Sequence, residues 1–124
     1  MRLVLIGIFV QMSLLCYGQG RTTLREEFVK AELERSLADT TLHNSIDKKR
    51  EIIEDKETAV SIAEKILFSG YGQKNIEQQR PYEVYKIKSY WIVSGTLPKG
   101  SKGGTFFIIM DARDSRVVRL THGK

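Results

Sequence analysis

The 124-residue chain has one cysteine, two prolines, one tryptophan and two histidines, and no acidic residue before Glu26. A single thiol cannot close a disulfide within the chain or build a Cys-ligated zinc site. The histidines, His43 and His122, lie far apart, and neither has a second ligand at helical or hairpin spacing, so a metal centre has no starting set. No apolar run reaches the roughly 20 residues of a comfortable transmembrane helix. The length leaves room for one domain and excludes a barrel enzyme or a two-domain dehydrogenase.

What the chain does have is charge of both signs and many rings. It carries 20 Lys+Arg against 15 Asp+Glu, a formal charge of +5, with five Tyr and five Phe. Charged and apolar residues alternate, which argues against wholesale disorder. The longest apolar stretch follows Arg2 and runs from Leu3 to Cys16. A basic start, a stretch of this length and small residues after it read as a secretory signal peptide. The expected cleavage follows Gly18, with Gly20 as the alternative. Cys16 lies inside this segment; a lipoprotein reading would anchor the chain there, although Leu15 stands where lipoproteins usually place a small residue. Loss of Arg2 leaves +4 on the mature chain (19 minus 15).

The expected organisation is residues 1–18 as signal, 19–52 as a helical extension and 53–124 as an α+β domain. Thr23 and Glu26 have capping-box spacing, and apolar stripes through Leu24, Phe28, Ala31 and through Val29, Leu33, Leu37 predict a helix over 24–38. Over 39–54 the pattern weakens, and a short helix or strand is expected there. Asp55 caps a second helix whose face is Ala59, Ile62, Ala63 and Ile66, ended by Gly70 and Gly72. Strands are expected at 82–87, 90–97, 105–111 and 116–121, joined by short turns that imply antiparallel neighbours. The resulting fold is two helices packed on one face of a curved four-stranded meander. Charge divides along the same line: residues 21–69 hold 9 basic and 11 acidic groups, residues 70–124 hold 10 and 4, a net of +6. Lys86, Lys88, Lys99, Lys102 and Arg119 are the candidate contacts for an acidic partner.

Catalytic motifs are weak. Residues 95–102, with Gly95, Gly100, Ser101 and Lys102, have the outline of a phosphate-binding loop, but Ser precedes Lys and a strand follows. A hydrolytic set of Ser94 or Ser101 with His122 and Asp111 lacks a nucleophile elbow. An enzyme would draw its pocket from Tyr71, Tyr82, Asp111 and His122, with Tyr85 a further ring. Packing alone accounts for such rings and for Trp91. A basic sheet bearing Tyr and Phe suits nucleic acid, yet no RNA-recognition motif is present and an exported chain seldom meets that partner.

One combination is more specific. Ala59, Ile62-Ala63-Glu64, Tyr71-Gly72, Pro81-Tyr82, Trp91, Val93, Gly95-Thr96-Leu97-Pro98 and Gly103-Gly104 follow one another over residues 53–124. This segment resembles the bacterial immunity proteins with a nuclear transport factor 2-like fold, found in toxin–immunity loci. The resemblance implies a small cone-like α+β domain that binds and blocks a cognate toxin and needs neither cofactor nor catalytic group. The matched glycines, Pro81 and Trp91 are expected to hold shape, and none is carried over as a toxin contact. The alternative on the same fold is a small periplasmic isomerase, hydrolase or ligand-binding domain.

Overall fold

Residues 20–124 are described by a computed structural model. They fall in two units, one ending at Leu42 and the other spanning His43–Lys124, each taken by itself. The expected signal segment lies outside the described residues. In the first unit, α1 spans Glu26–Ala38. It begins two residues later than its apolar stripe suggests, and the capping box does not form. Arg25 occupies the N-cap in an extended conformation without a side-chain cap bond. Glu26 and Glu27 in the first turn and Arg35 in the last answer the helix dipole instead. No residue of α1 is buried.

Residues 39–55 form neither helix nor strand, contrary to expectation. The reason is local. Asp39, Asn44 and Asp47 each accept a backbone N–H two residues ahead, from Thr41, Ile46 and Lys49 at 2.8–2.9 Å. Such turns offer the backbone an alternative to a helical ladder. The segment is then tied down at its end, where the N–H groups of Ile52 and Ile53 both donate to the Ala112 carbonyl, at 2.7 and 3.0 Å.

Helix α2 spans Lys56–Tyr71. Asp55 caps it as expected, accepting the Thr58 N–H at 2.7 Å. Ala59, Ala63 and Leu67 recur every four residues and are fully buried, and the two alanines let the helix axis approach the sheet. Gly70 lies inside the helix, and Gly72 at φ 86° provides the stop. A five-residue α3, Gln73–Glu77, follows unannounced by the sequence, because Ile76 is its single apolar residue and one anchor makes no period. The helices of this unit are therefore α2 and α3, whereas α1 belongs to the other.

The sheet comprises β1 (Glu83–Ile87), β2 (Tyr90–Ser94), β3 (Phe106–Asp111) and β4 (Val117–His122). Its spatial order is the sequence order and every pair is antiparallel. Alternation selects the core: Trp91 and Val93 of β2 and Phe106, Ile108 and Met110 of β3 point inward and are buried against α2, with Val84 and Val117 beside them. These seven residues and the α2 stripe make an α+β domain with one packed face.

Candidate partner-binding surface

The residues that carry the family resemblance are occupied with shape. The indole Nε1 of Trp91 donates to the Ile53 carbonyl at 2.8 Å, locking the incoming segment across the sheet. Gln79 is buried between α3 and the sheet, and its Oε1 accepts the Phe106 N–H at 2.8 Å. Gly95 leaves the space that this amide fills; a Cβ there would collide with the Gln79 side chain. Thr96 closes the same corner, its N–H donating to the Gln79 carbonyl at 2.8 Å and its hydroxyl to the Pro81 carbonyl at 2.6 Å. Gly104 faces the backbone of Gly123 so closely that a Cβ would overlap it. Gly103, at φ 117°, gives the loop its left-handed turn.

The residues proposed for a pocket are divided among three arrangements. Tyr71 and His122 meet, hydroxyl to Nδ1 at 3.0 Å, with the rings edge to face. Tyr82 donates to Glu64 Oε2 at 2.7 Å, and Arg80 donates to the same oxygen at 2.6 Å. Burial disfavours the Glu64 charge, but these two donors hold its carboxyl below the usual range; burial and the neighbouring carboxylate push the Tyr82 hydroxyl up. Asp111 stands at the opposite end of β3 from Phe106, the partner of His122. There Arg113 grips it in a fork, Nε at 3.0 Å and Nη2 at 2.8 Å. The hydrogen bonds from the Arg113 side chain hold Asp111 down at about 2. A carboxylate so firmly ionised is a poor proton donor near neutrality. Tyr85 leans toward Glu83 instead, at 3.4 Å. A shallow depression on α2, lined by Lys56, Glu57, Val60, Ser61 and Glu64, includes none of the four pocket residues. Among the described residues no three His, Cys, Asp or Glu side chains gather as a metal site would require.

The five candidate cations also occupy distinct places. Lys88, at φ 54°, is in the β1–β2 turn, and Lys99 and Lys102 are in the β2–β3 loop at the other end of the strands. Arg119 sits opposite Ile109 across the β3–β4 pair. Lys86 is the engaged one, paired with Glu51 at 2.7 Å and 5.8 Å from the Trp91 ring centre. The other four enter no salt bridge among the described residues. Sequence reasoning missed Gln79 and the Glu64–Arg80–Tyr82 cluster. Their partners lie 16 to 27 residues away, beyond any local spacing.

A helix-backed antiparallel meander whose motif residues maintain its corners defines an α+β domain of the nuclear transport factor 2-like kind. The family model of the NTF2 fold immunity protein matches residues 58–124, just over half the chain, and the chain belongs to that family. It is similar to the uncharacterized protein YhhH of Escherichia coli (strain K12), 33% identical over 76 residues, 60% of either chain. It is also similar to the uncharacterized protein YbbC of the same strain, 30% identical over 67 residues, 53% of this chain and 55% of that one. The chain thus spans little more than half the length of these curated relatives. No solved structure matches.

Proposed function

We propose that the protein is an exported immunity protein that binds a cognate bacterial toxin and neutralises it by occlusion. The observation that carries this reading is the family match, which takes in α2 from Thr58 and the entire sheet. The arrangement of side chains agrees with a binder: Asp111 and His122 stand at opposite ends of the β3–β4 pair, and Asp111 is locked to Arg113. The apolar run from Leu3 to Cys16 behind Arg2 supports export, and export directs the choice of toxin to one acting on the cell wall or membrane. The sheet half, at +6, suits an acidic partner surface, and export favours a protein over nucleic acid in that place. No cofactor enters this scheme.

The test is protection. Cells producing the neighbouring toxin in the periplasm should survive when the full chain is co-produced and die when residues 2–18 are deleted. A C-terminally tagged chain should fractionate with the periplasm and lack its first 18 residues by mass. Membrane retention with a lipid on Cys16 would replace free export by anchoring. A cytoplasmic location with the intact N-terminus, or protection against a nuclease, would overturn the reading.

A further inference from the structure

The strand registers place a second apolar surface on the side of the sheet away from α2. Tyr85, Ile92 and Ile109 form one cross-strand row that ends at Arg119. Ile87 and Tyr90 lead to Asp111 in the row on one side, and Glu83, Ser94, Phe107 and Thr121 form the row on the other. None of the six apolar members of these rows belongs to the core or packs against it. Tyr85 and Ile87 are more than half exposed, at 52% and 57%. Tyr90, Ile92, Phe107 and Ile109 are half-buried.

At ordinary strand spacing this face measures about 14 Å in each direction. The largest exposed apolar patch of a soluble monomer covers about 300–600 Å² and is often functional, above all where polar residues rim it. A standard interface buries about 800 Å² per partner, so the patch has the size of an interface centre that a rim must complete. The rim here is basic. Arg119 ends the middle row and Lys88 projects from the β1–β2 turn, both without an ion-pair partner among the described residues. Of the two carboxylates on the face, Asp111 is cancelled by Arg113, which also stacks 5.6 Å above Tyr90. Glu83 alone remains.

We propose that this outer sheet face is the docking surface for the toxin, and that the toxin meets it with an apolar centre bordered by carboxylates. The inference rests on the immunity reading above and adds to it the place of contact. A second copy of the chain is the poorer occupant, because it would bring an equally cationic rim against Lys88 and Arg119. The β2–β3 loop with Lys99 and Lys102 lies at the end of the sheet and outside these rows.

The experiment titrates the full mature chain against the purified toxin domain encoded beside its gene, with light scattering on the chain alone. Tyr85→Ser, Ile87→Ser and Arg119→Glu are compared with Lys99→Glu and Lys102→Glu, after thermal melts establish that each variant is folded. The substituted apolar side chains are largely in solvent, so the fold tolerates their loss. Each face variant should raise Kd by about tenfold or more, the scale of an interface hot spot. The loop variants should stay within about twofold, and wild-type binding should weaken with salt. Three results overturn the proposal. Face variants that bind like wild type would reject the surface while leaving the immunity reading intact, and so would loop variants that alone lose binding. A wild-type dimer that Ile87→Ser disperses would assign the face to self-association. Failure of the wild-type chain to bind the toxin would instead reject the immunity reading on which the proposal rests.

Discussion

Trp91 and Ile53, 38 positions apart, are joined by a 2.8 Å bond from the buried indole to the backbone carbonyl. That bond and the two donors reaching Ala112 fix the chain just before Asp55, where α2 is capped. Trp91→Phe keeps a ring but leaves the Ile53 carbonyl without its donor. Leaving a buried polar group unpaired costs about 1–3 kcal/mol. Urea unfolding should therefore show a lower midpoint with an unchanged slope. An unaltered midpoint would mean that the bond does not stabilise the fold.

Three glycines should respond differently to the same change. Gly70 sits in α2 with nothing within 4 Å of an added Cβ, so Gly70→Ala should stabilise by about 0.5–1 kcal/mol through helix propensity. Gly95→Ala meets the Gln79 side chain, part of which can rotate away, and should destabilise by about 1–3 kcal/mol. Gly104→Ala meets the Gly123 main chain, which has no rotamer to change, and should be the worst of the three. Thermal melts of the three variants would give this order, and Gly104→Ala melting like wild type would contradict it.

The parts of this fold legible in the sequence are those governed by short-range periodicity. Runs of β-branched and aromatic residues at Tyr90 to Val93 and at Phe106 to Met110 mark two strands to within a few residues, and the apolar face Ala59, Ile62, Ala63 and Ile66 marks α2. The same rule failed where side chains competed with the backbone, as Asp39, Asn44 and Asp47 do before α2. It also failed at α3, where Ile76 alone supplies the burial. The candidate site was less legible, because its geometry depends on register. Lys86 and Lys88 are two positions apart in sequence, yet one is paired beside Trp91 and the other lies in the turn. Likewise, Asp111 and His122 are eleven residues apart across a hairpin whose register sends them to opposite ends.

The two expected helix caps offer a controlled comparison. Asp55 accepts the Thr58 N–H, whereas Thr23 caps nothing and Arg25 stands at the start of α1 without a side-chain bond. Asp55→Ala should lower the melting temperature, and Asp55→Asn should nearly preserve it because an amide oxygen can accept the same N–H. Thr23→Ala should leave the melting curve where it is. A loss of stability in Thr23→Ala comparable to that in Asp55→Ala would place a working cap in α1 after all.

Asp111 should govern part of the acid limb of stability. Its carboxyl lies at about 2 in the folded chain, against an ordinary 3.8, because Arg113 hydrogen-bonds the ionised form. A group with a depressed folded value stabilises the protein above its unfolded pKa and loses that contribution as pH falls through the folded one. The Asp111 contribution is therefore complete near neutrality and disappears between about pH 4 and about pH 2. Arg113 is one-third exposed, so water screens the pair and its worth is about 1 kcal/mol, below what the shift alone implies. Asp111→Asn should lower stability at pH 7 by about that amount and flatten the dependence over this window, as read by denaturant midpoints at pH 2, 3, 4 and 7. The wild-type and Asp111→Asn curves should converge at the acid end, where the wild-type carboxyl is itself protonated. A constant gap between them from pH 7 to pH 2 would show that Asp111 acts by packing and not by its charge.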